Sequence, residues 1–108
     1  MSVFFNDDYV AAEHAFDTTR KAGWIADALH GERLPNVELV DPAGHVPLAE
    51  QAIESIHTAE YVEALRTGEP DDLASSQGFS WDTGIWPMAL NSTAGVLAAV
   101  EDALSNGA

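Results

Sequence analysis

Residues 54–70, ESIHTAEYVEALRTGEP, predict the end of one helix, a polar break, a second helix and a stop. The break carries His57, and Thr58 beside it can cap the second helix through its hydroxyl. Tyr61 lies four residues after the histidine. This stretch raises a question about function, because His57 is either a ligand or catalytic base, or a residue that only joins two helices.

The surroundings of His57 favour the structural role. A metal-binding histidine requires further histidine or carboxylate ligands, and the local sequence offers only Glu54 and Glu60. A helix break also exposes carbonyl and amide groups that lack intrahelical partners, and an imidazole can bond to them. We therefore interpret His57, together with Tyr61, as a structural residue and not as a metal ligand.

The segments before and after this stretch alternate between strand and helix patterns. Residues 2–5 and 37–40 are short β-rich runs that predict strands. The predicted helices cover residues 13–30, 47–56, 58–66 and the apolar segment from residue 85 onward, and residues 67–80 predict a flexible polar loop. The predicted inner faces are Phe16, Trp24, Ile25, Ala28 and Leu29, then Leu48, Ala52, Ile53 and Ile56, then Tyr61, Val62 and Leu65.

This order predicts an α/β fold in which two short parallel strands accompany about four helices, all in one domain over residues 1–108. Parallel sheets are normally buried between helices, and a sheet of two strands leaves both edges open. We therefore expect that the chain either self-associates or forms the opening portion of a larger sheet.

Composition limits the classes of partner. Four Lys and Arg residues stand against 18 Asp and Glu residues, which gives a formal net charge of −14. This charge repels phosphate backbones and anionic membranes, so we expect neither nucleic acid nor a membrane as a partner. A polyamine or a basic peptide would be attracted, although a solubilising acidic surface is the simpler interpretation.

The absence of cysteine and of long apolar runs narrows the possibilities further. A chain with no cysteine has no disulfide, thiolate metal site or cysteine nucleophile. No apolar run approaches the roughly 18 residues that a spanning helix requires. Residues 1–10 lack the basic start and apolar stretch of a signal peptide, so we expect a cytoplasmic location.

Four pieces of the sequence together resemble the N-terminal third of the zinc-dependent deacetylase superfamily, which comprises histone deacetylases, acetoin-utilisation proteins and acetylpolyamine amidohydrolases. They occur in the family's order and at roughly its spacing. The most specific is AEQAIESIHTAEYVEAL, in which an apolar residue, His, a small hydroxyl residue, two variable residues, Tyr and an aliphatic residue follow one another. The other three are VFFNDDY, RKAGWIADAL and WDTGIWPMALNSTAGVLAAV.

The resemblance implies part of an arginase/deacetylase-like three-layer fold. It implies a zinc-dependent amide hydrolysis of acetyl-lysine or acetylpolyamine in the complete family, with no catalytic or metal-binding residue among residues 1–108. In the family, the zinc ligands and the catalytic tyrosine follow the helix at which this sequence stops. We therefore expect a truncated or fragmentary relative that is inactive alone and holds no cofactor.

The resemblance also implies roles for five residues in a complete enzyme. Lys21, or Arg20 one residue earlier, corresponds to an arginine that lines an inner cavity behind the active site. Asp82, with Phe79 and Trp81, corresponds to the rim of the substrate channel. The alternatives are a helix-surface charge paired with nearby acidic residues for the first two, and a loop with an Asx-type turn for the other three.

Three hypotheses of function follow from these patterns. The first is the truncated deacetylase relative, completed by a missing C-terminal portion. The second is a stand-alone interaction module that forms a homo-oligomer, because its last helix is too apolar to stay exposed. The third is an acidic module that binds polyamines or basic peptides.

Overall fold

The computed structural model describes residues 1–10, 20–32 and 34–106. The described residues form a mixed, mostly helical architecture that begins with a strand, a helix and a strand, in the order that the sequence predicts. The elements are β1 (Ser2–Phe4), α1 (Lys21–Gly31), β2 (Glu38–Val40), α2 (Val46–Ile56), α3 (Ala59–Thr67), α4 (Asp71–Ala74) and α5 (Ile85–Asn106), with 3₁₀ turns at Asp7–Tyr9 and Ala43–His45 after the two strands.

The two strands form a parallel pair, which confirms the predicted parallel arrangement. Beyond the pairing itself, the Phe5 amide donates to the Val40 carbonyl at 2.9 Å, and the Glu38 amide donates to the Met1 carbonyl at 2.9 Å. The register pairs Ser2 with Glu38, Val3 with Leu39 and Phe4 with Val40. Because the strands are parallel, their carboxyl ends meet at one edge of the sheet, where the 3₁₀ turns begin.

Local sequence signals set the ends of the central helices, among them the predicted cap at Thr58. Pro47 lies in the first turn of α2, where its missing amide hydrogen has no intrahelical partner to lose. The Thr58 hydroxyl accepts a hydrogen bond from the Tyr61 amide at 3.3 Å and caps α3. Gly68, with φ of 82°, ends α3 in the left-handed conformation that glycine adopts without steric cost.

The core is centred on α5 and consists largely of small side chains. Helix α5 lies against β1, both 3₁₀ turns, α2 and α3. Within the part of the chain that the structure describes, the buried hydrophobic residues are Ala26, Ala49, Ile53, Val62, Ala64, Leu65, Ala74, Ile85, Ala94 and Ala98. The protein is thin, with principal extents of 46, 29 and 17 Å, so it has room for few layers of side chains.

The predicted inner faces of the first two helices are wrong in part. On α1, Trp24 is 51% exposed and Ile25 is 61% exposed, while Ala26 is buried. On α2, Leu48 is 53% exposed and Ile56 is 78% exposed, whereas Ile53 is buried as predicted. Helical spacing identifies an apolar stripe but does not say what covers it.

The remaining predictions for these faces have mixed outcomes. On α3, Val62 and Leu65 are buried as predicted, and Tyr61 is half-buried. The first part of the predicted helix over residues 13–30, with Phe16, lies outside the described residues. Ala28 is exposed, and both Leu29 and Ala52 are half-buried.

The segment predicted as a polar loop contains one turn of helix, α4, which starts directly after Pro70. The Ser76 hydroxyl donates to the Leu73 carbonyl at 2.7 Å and closes this turn.

No helix in the described part of the chain combines the length and the apolar character that crossing a membrane requires.

Candidate functional site

A group of polar side chains lies where the two strands end. Asn6 and Asp41 follow β1 and β2 closely, and Asn91 of α5 faces them. With Asp8 of the first 3₁₀ turn, these residues form what we call the strand-end cluster. In parallel sheets, ligand sites form outside the carboxyl ends of the strands, so this position makes the cluster a candidate site.

A hydrogen-bond network connects the strand-end cluster across the fold. The side-chain nitrogen Nδ2 of Asn6 donates to Asp41 Oδ1 at 3.0 Å and to Asn91 Oδ1 at 2.8 Å. The side-chain nitrogen Nδ2 of Asn91 in turn donates to the Pro87 carbonyl at 2.9 Å and lies 3.5 Å from Asp8 Oδ2. Asn91 is 7% exposed, and these partners satisfy a buried amide that would otherwise be destabilising. The network therefore holds both strand ends against α5.

Tyr9 lies beside this cluster in a half-buried position. Burial raises the pKa of its hydroxyl above the ordinary value of 10.0, and the nearby negative charge of Asp41 raises it further. Its hydroxyl lies against Gly95 of α5, where a Cβ atom would come within 1.6 Å of the oxygen. Gly95 is therefore required so that Tyr9 can reach the helix. The ring also contacts Phe5, with 5.4 Å between ring centroids.

The sequence interpretation did not identify the strand-end cluster as a site. The available signal was the placement of Asn6 and Asp41 just after two predicted parallel strands, whose carboxyl ends meet. Asn91 gave no comparable signal, because it is one of several polar residues in a largely apolar helix and lies 85 residues away from Asn6. Chemically, the cluster offers carboxylate oxygens that accept hydrogen bonds and side-chain amides that both donate and accept them.

His57 lies at the break between α2 and α3, as the sequence indicates. Its backbone amide donates to the Ile53 carbonyl at 3.0 Å and ends α2. Its exposed ring lies 5.4 Å from the Tyr61 ring, at an interplanar angle of 47°. The structural role of His57 and Tyr61 stays a prediction, which this geometry supports.

The two predicted inner-cavity residues lie at the start of α1. Arg20 immediately precedes the helix, and its guanidinium carbon lies 5.5 Å from the centre of the Trp24 ring. It borders a cavity of about 460 Å³ that Asp7, Asp27 and other residues line. Lys21 is exposed and does not line this cavity. Arg20 therefore borders a surface cavity and Lys21 does not, and the inner-cavity role of both residues remains a prediction.

The three predicted rim residues lie between α4 and α5. The Trp81 indole nitrogen donates to the Leu65 carbonyl at 2.7 Å, and its ring lies close against Gly68. Asp82 Oδ1 accepts from the Gly84 amide at 2.7 Å, which is an Asx-type turn. Phe79 is half-buried. These contacts connect the polar segment to the end of α3 and to the start of α5, while the substrate-rim role stays a prediction.

A charged cluster that the sequence interpretation missed surrounds Arg66. Its guanidinium lies 2.7 Å from Glu54 and 3.1 Å from Glu50 on α2, and 3.6 Å from Glu63 on α3. Its guanidinium carbon also lies 4.8 Å from the centre of the Trp86 ring on α5. The hydrogen bond to Glu54, aided by the other carboxylates, raises the pKa of Arg66. Only the spacing of Glu63 and Arg66 signals any part of this arrangement in the sequence.

Zinc, which the resemblance implies for a complete family member, does not fit the described residues. No group of three or more His, Asp or Glu side chains within residues 1–10, 20–32 and 34–106 lies close enough to hold a metal ion. His45 instead lies 2.9 Å from Glu101, and His57 contacts Tyr61. Comparison with known proteins adds no candidate: no family model matches the chain, and no curated protein or solved structure matches it.

Proposed function

We propose that this chain forms the amino-terminal layers of a deacetylase-type amidohydrolase scaffold and does not hydrolyse amides by itself. Four sequence pieces in the family's order support the proposal, as does the strand–helix–strand–helix–helix arrangement of the described residues. The proposal includes the arginase/deacetylase-like three-layer arrangement of the complete fold. Its completion requires further strands and helices from another polypeptide segment.

The observation that carries the proposal is the amount of surface left uncovered. The accessible surface is 6860 Å² for 11.5 kDa, whereas a folded monomer of this mass exposes about 5,800 Å². The radius of gyration is 15.0 Å, against roughly 13 Å for a compact domain of this length. Large hydrophobic residues are exposed on helix faces that a larger α/β domain would cover, namely Trp24, Ile25, Leu48, Ile56, Val96, Val100 and Leu104.

Within such a scaffold, the described residues hold the strand ends and helix starts in position. Asn6 and Asn91 connect the carboxyl end of β1 to α5, and Asp41 connects β2 to the same network. Trp81 and Asp82 fix the chain where it enters α5. The metal and the groups that activate water would come from outside residues 1–108.

The direct test is to assay the purified chain with and without zinc. We expect no stoichiometric zinc by elemental analysis and no turnover of acetyl-lysine peptides or acetylated polyamines. Asp82→Asn should behave as the unaltered chain does, because no activity depends on it here. Stoichiometric zinc together with turnover that Asp82→Asn reduces would contradict the proposal.

A second test examines the DNA that follows the coding sequence. The proposal gains support if a downstream reading frame encodes two adjacent histidines and an Asp-x-His pattern. Co-expression of that segment should then yield a complex that binds zinc and hydrolyses acetylated substrates. A co-purified complex that binds no zinc would count against a deacetylase-type scaffold.

A further inference from the structure

The C-terminal half of α5 exposes a row of aliphatic side chains on the side that points away from the protein. Helix α5 spans 22 residues, which corresponds to about 33 Å. Its inner face buries Ala94 and Ala98 among others. On the opposite side Val96, Val100 and Leu104 are spaced by four residues and are 64%, 52% and 84% exposed. Together with the half-buried Ala89 and Thr93 in line with them, these residues are the outer face of α5.

The outer face carries no charge, although the chain as a whole is strongly acidic. The charged residues of α5 are Glu101 and Asp102. Glu101 lies 2.9 Å from His45 at the start of α2, and Asp102 accepts a hydrogen bond from Asn106 at 2.7 Å. A helix that is apolar on both its inner and outer faces is normally buried on both.

The isolated chain leaves uncovered surface on the scale that a stable dimer buries. The accessible area of the whole chain, of which the outer face of α5 is one part, exceeds that of a compact monomer of equal mass by on the order of 1,000 Å². A standard interface buries about 800 Å² on each partner. The outer face of α5 can supply the apolar centre of such an interface, because three large aliphatic side chains follow one another along it.

We propose that two copies of the chain pair through the outer faces of their α5 helices, related by a two-fold axis. A two-fold contact places the same surface on both sides, so the surface must be self-complementary. An uncharged aliphatic face meets this condition, because no like charges come directly opposite one another. A basic partner would find no carboxylate on this face to pair with. The proposal does not depend on the deacetylase resemblance.

The net charge of the chain predicts an unusual salt dependence for this dimer. Each copy carries −14, so the copies repel each other over distances longer than the contact itself. Added salt screens this repulsion without weakening apolar contact. The dimer should therefore become tighter as the salt concentration rises, whereas association through opposite charges would become weaker.

Sedimentation equilibrium of the full chain at micromolar concentration tests the proposal. We expect a mass of twice 11.5 kDa and a dissociation constant that falls with added salt. Val100→Glu should weaken the dimer by at least about a hundredfold, because it buries two like charges in the interface. The matched control is Ile56→Glu, which alters an equally aliphatic residue of α2 that is 78% exposed, and it should leave the constant within about twofold.

Circular dichroism of both variants checks that each keeps the helix content of the unaltered chain, as substitutions at exposed positions should. A chain that remains monomeric at all salt concentrations overturns the proposal and leaves the deacetylase-type scaffold untouched. Dimerisation that Val100→Glu does not weaken, or that Ile56→Glu weakens equally, also overturns it. Association that salt weakens would indicate a contact between opposite charges instead.

Discussion

Tyr9 is the residue at which burial, charge and packing act together. Its hydroxyl lies against Gly95 and near Asp41, and both burial and this carboxylate disfavour the phenolate. The folded protein therefore holds the tyrosine proton more tightly than the unfolded chain does. Tyr9 consequently links the stability of the contact between the first 3₁₀ turn and α5 to pH.

This linkage predicts a loss of stability in alkali. The pKa of Tyr9 is raised above 10.0 in the folded state, so its contribution is complete below about pH 10 and is lost as the pH rises through the folded-state pKa. The free energy of unfolding, measured by urea denaturation at several pH values, should fall across this range. Tyr9→Phe should flatten the decrease, because it keeps the ring and removes the ionisable group.

Absorbance titration of tyrosinate provides the matching control. The chain has two tyrosines, so Tyr61→Phe leaves Tyr9 as the one that titrates. In this variant, the midpoint should lie above 10.0 in the folded protein and should return to the ordinary value in denaturant. An equal midpoint in both states would show that Tyr9 is not desolvated by α5.

At the scale of elements, Arg66 is the point at which three helices meet. It contacts Glu50 and Glu54 of α2, lies in α3 itself, and places its guanidinium over Trp86 of α5. The carboxylates around it would repel one another without the guanidinium between them. The contact with Trp86 depends on the planar, delocalised shape of the guanidinium.

We therefore expect Arg66→Ala to lower the unfolding temperature, and to lower it more at low ionic strength than at high. Arg66→Lys restores the charge but not the planar contact with Trp86, so it should recover part of the loss. Thermal unfolding followed by circular dichroism at two salt concentrations measures both effects. If Arg66→Ala and the unaltered chain unfold at the same temperature in low salt, the cluster does not stabilise the junction.

The elements also show which features can be predicted from the sequence. Pro47, Thr58 and Gly68 act within one helical turn of their own position, so local chemistry set the ends of α2 and α3 correctly. The parallel strand pair followed from the alternation of strand and helix patterns. The helix ends depend on neighbours in the sequence, whereas the strand pair joins residues 36 positions apart and was predicted from the order of the elements.

The features that could not be predicted from the sequence depend on contacts between residues that are far apart in the chain. The pairing of Asn6 with Asn91 joins positions 85 residues apart, and no local pattern indicates it. Leu48 and Ile56 were predicted as buried because their spacing is helical, but exposure depends on what lies against the helix. For the same reason, the outer face of α5 lies at the surface although its aliphatic residues are of the type found in a protein core.

For the whole molecule, the charge of −14 dominates interactions beyond contact distance. The field attracts cations, and a flexible polyamine can follow carboxylates that are spread over the surface. Clusters such as the one around Arg66 keep a net negative charge even with their ion pairs formed. Binding of this kind is electrostatic and requires no preformed pocket.

The third hypothesis, an acidic module for polyamines, therefore makes a prediction about ionic strength. Calorimetry should detect spermidine binding at about 0.01 M salt, where charges act over roughly 30 Å, and the heat should largely vanish at about 0.15 M, where they act over roughly 8 Å. Putrescine, with fewer charges, is the matched control and should bind more weakly at the lower salt concentration. Heat that persists unchanged at the higher concentration would instead indicate a built pocket. No heat at either concentration would leave the acidic surface with a solubilising role alone, because a field too weak to gather a polyamine at low salt cannot recruit a basic peptide in a cell.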